Sequence, residues 1–405
     1  MIKFTIFAIV LITLVSSAIA QDKSTLQAIK VSETFLDNMP LKTRIGGLDM
    51  ANGFIAMFTD SFVNRRNEFM LFDSNGNEII SKRSTENMSF WHLDLKSCDG
   101  AVIVGEGVPE GRNYFSAYDY SGKMLISPFS TGKSTNPVMS SPSMKYLYSR
   151  NEDILSGSGE PMVWDATGNL LAEFDVENSM WQMAAINDSL LLFQDWNHLK
   201  IISIPSMAVK KEYVVNGIIP PPIESFCSMD PSGDYYAFEG EYKLAICNLT
   251  NGDIQFIDKG NVGYRRGRIG LSESGEYLFC FHSRRNITVT IFQRFKEGYR
   301  AIGVNQKVPF DGEVDLIYMG PYFWNNKCII NAENVTQSPR VLEYKSYIID
   351  ISNQSGREVN GVALQGFATP AMVGNKAKMH VFKIRSSQND IGLLRKYHLE
   401  EASNE

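Results

Sequence analysis

Histidine is scarce in this chain and cysteine nearly so. The five histidines, His92, His198, His282, His380 and His398, lie far apart. No two have the short spacing that places ligands of a local metal motif side by side. Cysteine also occurs five times, an odd number, and no Cys-x-x-Cys is present. That removes a local redox pair and a zinc knuckle. Cys227, Cys247, Cys280 and Cys328 stand inside apolar strand-like runs, which reads as buried free thiols. There is no Gly-x-Ser-x-Gly; Ser156-Gly157-Ser158-Gly159 is a flexible loop. No glycine-rich phosphate loop leads into a helix. The expectation is a protein with no metal site and no cofactor. An excess of basic residues is missing too. The net charge is −6, and general nucleic-acid binding calls for a basic face.

Long hydrophobic runs are absent with one exception, at the N-terminus. Lys3 supplies a positive charge, Phe4 to Val15 is apolar apart from threonines, and Ser16-Ser17-Ala18-Ile19-Ala20 ends in a small-x-small pattern. This order reads as a signal peptide over residues 1–20, cut before Gln21. The expected protein is exported, periplasmic or extracellular, with no membrane span after cleavage. Linkers, low-complexity tracts and helical periodicity are also missing. Pro220-Pro221-Pro222 reads as a stiff connector. Residues 21–400 are therefore read as one domain, with 401–405 as a frayed tail.

What the chain does contain is repetition. Phe72-Asp73-Ser74-Asn75-Gly76, Tyr118-Asp119-Tyr120-Ser121-Gly122 and Trp164-Asp165-Ala166-Thr167-Gly168 share one pattern, and their glycines are 46 residues apart. Asp73-x-Asn75-x-Asn77 echoes the start of a calcium loop, but its glycine is at the fourth position and no Glu follows at the twelfth. A hairpin turn is the better reading. A second signal interleaves, a polar turn followed by a short apolar run. Its clearest copies are Asp230-Pro231-Ser232-Gly233-Asp234-Tyr235 and Ser272-Glu273-Ser274-Gly275-Glu276-Tyr277. Such turns fall near residues 52, 99, 143, 188, 232, 274, 325 and 375. Asn-Gly and Asp-Gly tolerate the positive φ that a tight hairpin requires.

Together the two signals define a four-strand unit that resembles the blade of WD40-like and quinoprotein-like β-propellers, where the same two turns recur in the same order. The resemblance is one of architecture and covers most of residues 41 to 400. Trp-Asp of true WD40 repeats occurs once, at Trp164-Asp165, and among the aromatic-Asp turns the quinoprotein Thr-Gly stands only at Thr167-Gly168. The resemblance implies an all-β propeller of eight four-stranded blades, with seven as the alternative. The run Leu26 to Leu36 precedes the first unit. It is expected to be the missing strand of the last blade, closing the ring and removing sheet edges.

In a propeller, the segments before each first strand and the loops between second and third strands share one face. The first set brings Trp91 and His92, Trp181, Phe226, and Tyr264, Arg265, Arg266 and Arg268; the second adds Arg284 and Arg285. Aromatics and arginine are the usual anchors of interfaces. The alternative for each aromatic is a plug between blades. Acids such as Glu106, Glu160 and Glu239 fall on other units of the same face. The sequence thus points to a non-catalytic propeller that binds a protein or glycan partner, anionic in the basic sector. The competing reading is a hydrolase or lyase of saccharide or peptide with carboxylates at the channel. Oligomeric state is not legible. Asn87-Met88-Ser89, Asn248-Leu249-Thr250 and Asn286-Ile287-Thr288 match the N-glycosylation pattern.

Overall fold

A computed structural model describes residues 26 to 401 apart from connecting segments, the longest being 37–42, 60–66, 150–159, 215–226, 260–267, 308–313, 359–367 and 384–391. Side chains are described within residues 54 to 304. The described elements form eight four-stranded antiparallel sheets. Sheet 1 comprises Thr43–Leu48, Ile55–Thr59, Glu68–Phe72 and Glu78–Arg83. Sheet 2 follows with Ser89–Asp94, Ala101–Gly107, Asn113–Asp119 and Met124–Ser130. In sheet 3 the strands are Val138–Ser140, Tyr146–Ser149, Met162–Asp165 and Leu170–Glu173. Sheet 4 has Gln182–Asn187, Leu190–Gln194, His198–Ser203 and Ala208–Val214. Cys227–Met229, Tyr235–Glu239, Lys243–Asn248 and Ile254–Asp258 build sheet 5. Arg268–Leu271, Tyr277–Arg284, Asn286–Phe295 and Gly298–Lys307 build sheet 6. Sheet 7 runs through Val314–Trp324, Lys327–Gln337, Arg340–Asp350 and Ser355–Glu358.

Within these seven sheets the strands lie in chain order. Sheet 8 departs from that rule. Ala368–Val373, Lys376–Lys383 and Gly392–Glu401 are joined by Leu26–Leu36, which pairs antiparallel with Gly392–Glu401 from Leu26↔Glu401 to Leu36↔Gly392. The two ends of the described chain thus share a sheet, as the sequence led us to expect, and the last strand runs to Glu401, one residue past the expected domain end. Each of the eight first turns read from the sequence falls between the first and second strands of a sheet.

The sequence makes such sheets because its apolar runs are short, unbroken and period-2 on both faces. In Ala101–Gly107, Val102 and Val104 pack with Phe69 and Leu71 of sheet 1, while Ala101 and Ile103 pack with Val138, Leu147 and Trp164 of sheet 3. Sheet 4 does the same. Leu191 and Phe193 face Tyr146, Tyr148 and Val163 of sheet 3; Leu192, Leu199 and Ile201 face Tyr236 and Phe238 of sheet 5. Ala237, Leu244 and Ile246 then meet Ile269, Leu278, Cys280 and Phe292 of sheet 6. The buried cores are therefore interfaces between consecutive sheets, and a strand buried on both faces needs no polar alternation. Cys247 and Cys280 are buried free thiols, as expected, and burial pushes Cys247 up to about 12.

Fourth strands carry the polar pattern. Ala208–Val214 is mostly exposed, as is Met124–Ser130. In sheets 1, 2 and 3 the fourth strand is entered through an Asp-x-x-Gly turn. Ser121 N–H and Lys123 N–H both donate to Asp119 Oδ1 at 2.9 Å, and Gly122 N–H donates to Asp119 O at 3.0 Å. Asp165 repeats this with Thr167 and Asn169. Burial raises the Asp165 carboxyl, but these hydrogen bonds outweigh it and hold the group down to about 2. Its stabilisation is present above the unfolded carboxyl range, about pH 4, and is lost as pH falls through about 2. Asn77 N–H and side-chain Nδ2 likewise donate to the Asp73 carboxylate, each at 2.8 Å, a hairpin turn instead of a calcium loop. Gly76 lies outside the described residues.

Gly168 has a second duty. Its φ is +87°, and a Cβ there would lie 2.6 Å from Phe129 of sheet 2. Gly100, at φ +73°, has nothing within 4 Å of its Cβ position. Gly100→Ala should therefore cost only the left-handed backbone, about 1–2 kcal/mol. Gly168→Ala should cost that plus about 1–3 kcal/mol for displacing Phe129. Denaturant midpoints of the two variants check this; equal losses would mean that the turn does not seat on sheet 2.

Candidate functional site

Two kinds of sheet end alternate along the chain. At the hairpin end lie the turns joining first to second and third to fourth strands. At the loop-bearing end lie the segments before first strands and the loops between second and third strands. The residues singled out from the sequence were expected at the loop-bearing end.

Trp91 and His92 sit together in the first strand of sheet 2. The Trp91 ring packs edge-on to Phe115 at 5.6 Å and tilted against His92 at 5.7 Å. Its Nε1 is buried without a hydrogen-bond partner. His92 Nε2 lies 3.2 Å from Val138 O of sheet 3. A carbonyl only accepts, so this nitrogen carries the proton and the ring links two sheets. Trp181 is 1% exposed and packs among Tyr148, Met183 and Phe193 between sheets 3 and 4. It is a plug between sheets and presents no ring to a partner. Arg268 opens the first strand of sheet 6 and Arg284 closes the second. With Arg268 paired to Phe281, and Arg284 three residues further on, register puts both at the loop-bearing end. Phe226, Tyr264, Arg265, Arg266 and Arg285 lie outside the described residues.

Polar groups that the sequence offered as surface charge are used inside the fold. Glu106 accepts from Thr85 N–H and from Thr85 Oγ1 at 2.6 Å, tying sheet 2 to the end of sheet 1. Glu239 is fully buried and pairs with Lys259, 7% exposed, at 2.8 Å. Two more linkers escaped sequence reasoning. Asn67 Nδ2 donates to Phe90 O and Asn67 Oδ1 accepts from Phe90 N–H, both at 2.6 Å. Tyr236 O–H donates to Gln194 Oε1 at 2.7 Å. Gln194 and Glu239 both close a second strand, and a polar residue ending an otherwise apolar second strand is the signal that could have revealed them. Asn248, in one of the N-glycosylation motifs, accepts from Thr250 N–H and Asn251 N–H and donates to Tyr235 Oη. Its amide is engaged in shaping a turn.

One carboxylate pair merits comparison with hydrolytic geometry. Glu160 shares a hydrogen bond with Glu173, and that bond, with the charge of Glu173, raises its pKa. Glycosidases hold their two carboxyls about 5–9.5 Å apart to admit a sugar or a water. Carboxyls in direct contact leave no such space. Among the described residues no group of three His, Cys, Asp or Glu side chains could hold a metal ion.

With this geometry in place, comparison with solved structures decides the architecture. The dihydro-heme d1 dehydrogenase NirN in complex with DHE, itself a β-propeller, matches at a TM-score of 0.51 and 12% identity, over 92% of this chain and 79% of that chain. This chain is a β-propeller. At 12% identity the likeness carries the fold and no chemistry. A mitotic checkpoint complex structure matches at a TM-score of 0.45 and 12% identity, over 84% of this chain and 96% of that chain. No family model and no curated protein matches the chain.

In propeller terms, the loop-bearing face of the fifth sheet is underpinned by a buried ion pair. Removing one partner of such a pair leaves an uncompensated charge and costs about 3–5 kcal/mol, whereas apolar replacement of both is often near neutral. Glu239→Leu alone should lower stability by that amount, and Glu239→Leu with Lys259→Met should recover most of it. A double-mutant cycle in denaturant checks this; additive losses would show that the pair is not coupled.

Proposed function

We propose that the eight sheets are the blades of one ring, closed where Leu26–Leu36 pairs with Gly392–Glu401. We further propose that the protein is exported and non-catalytic, and grips an anionic protein or glycan surface with its loop-bearing face. The observation that carries the binding reading is the register of sheet 6, which sets Arg268 and Arg284 at the same end of neighbouring strands. The sequence adds Arg265, Arg266 and Arg285 within the same two connections. Five guanidinium groups on two short segments repel one another, and the repulsion grows as loops exclude water. Carboxylates or phosphates of a partner offset it, since guanidinium pairs bidentately with either. Tyr264, beside these segments in sequence, Phe226, just before the first strand of sheet 5, and Trp91, half-buried on sheet 2, supply aromatic anchors. Export rests on residues 1–20.

Charge reversal tests the reading. Arg268→Glu with Arg284→Glu should slow association with the native partner, recovered by pull-down from the source, without lowering the melting temperature. Wild-type binding should weaken as salt rises. Equal recovery by both proteins at equal stability would place the binding surface elsewhere.

A further inference from the structure

At the hairpin end, between sheets 5 and 6, a half-open groove of about 460 Å³ is lined by the strand starts and turns around Tyr235, Asn248, Asp253, Arg294, Phe295 and Lys296. Its volume is that of a small-ligand site. It lies at the opposite end of the sheets from Arg268 and Arg284, so it stands apart from the partner face proposed above.

The cation in this groove is the unusual feature. Arg294 is half-buried, and its guanidinium carbon sits 4.5 Å from the centre of the Tyr235 ring. Tyr235 is itself held. Its hydroxyl accepts from Asn248 Nδ2 at 3.2 Å, its ring meets Tyr299 edge-on at 6.2 Å, and it lies against Gly275, where a Cβ would come within 2.6 Å. The guanidinium is thus laid on a fixed aromatic platform, while no carboxylate among the described residues pairs with it. The nearby acids are committed otherwise. Asp253 accepts from Asn251 Nδ2 at 2.9 Å, and Glu297 pairs with Arg300 at 3.1 Å. An arginine stacked in this way keeps its in-plane N–H donors for a planar acceptor. Beside it Phe295 is 42% exposed, a large apolar side chain at the groove's rim.

We propose that this groove binds a small organic acid, its carboxylate on Arg294 and an apolar ring or chain against Phe295. Lys296 adds a second positive charge to the same lining, which favours an anion without fixing its orientation. The chemistry fits a free aromatic or aliphatic carboxylic acid better than a hydrophilic sugar acid, because the exposed wall beside the cation is apolar.

Isothermal titration of the full chain with N-acetyl-phenylalanine, its uncharged carboxamide and glucuronate tests this. N-acetyl-phenylalanine should bind, the carboxamide at least tenfold more weakly. Arg294→Gln should weaken the acid at least tenfold and leave the carboxamide unchanged; Phe295→Ser should weaken both. The melting temperature of each variant is measured alongside. If Arg294→Gln lowers it, Arg294→Lys replaces it, keeping a cation near Tyr235 but losing the paired donor edge; weaker binding then supports the site. The proposal is overturned if no acid binds at millimolar concentration, if Arg294 variants bind N-acetyl-phenylalanine as wild type does, or if glucuronate binds as tightly as the aromatic acid.

Discussion

Burial of single strands from both faces is the constraint on which the rest depends. Val102 and Val104 turn one way and Ala101 and Ile103 the other, and both sets are buried. A sheet built of such strands is insoluble with one neighbour and satisfied with two. Stacking removes the apolar surface at roughly 25 cal/mol per Å², and it must continue until no sheet is left with a bare face. In the ring proposed above, a stack of twisted sheets meets this condition by curving round on itself. The pairing of Leu26–Leu36 with Gly392–Glu401 is the hydrogen-bonded tie that the proposed ring uses, since it holds the first stretch of chain to the last sheet.

Stacking leaves the sheet ends as the places where backbone and polar groups must find partners, and the fold spends many side chains there. Asn67 clamps Phe90, Tyr146 O–H reaches Leu190 O at 2.8 Å, and Gln255 exchanges hydrogen bonds with the backbone of Tyr299. Each joins one sheet to the next. Function is then left to whatever the sheet ends do not consume. Arg294 on its tyrosine platform is one such residue, and in the function proposed above Arg268 and Arg284 are others.

The architecture was legible because its signals are local. An Asp followed three residues later by Gly is a complete set of turn instructions, with the carboxylate gathering N–H groups and the glycine taking φ of +90° at Gly122 and +87° at Gly168. The N-terminal strand was legible by elimination, as an apolar run without a unit of its own. Trp181 shows where this reasoning stops. An aromatic before a first strand reads equally as a rim anchor and as a plug, and only the neighbouring sheet, far off in sequence, makes it 1% exposed. Glu239 failed for the same reason, since it reads as surface charge until Lys259 is placed beside it. Arg294 gave no signal, because nothing in Phe292-Gln293-Arg294-Phe295 tells that Tyr235 of another sheet lies beneath it.

Removing residues 26–36 from the mature protein tests the closed-ring account most directly. The account predicts a protein that melts well below the full chain and self-associates, since Gly392–Glu401 would then offer an unpaired edge. Adding a synthetic peptide of residues 26–36 should restore much of the lost stability. A truncated protein that stays monomeric and melts with the full chain would contradict it.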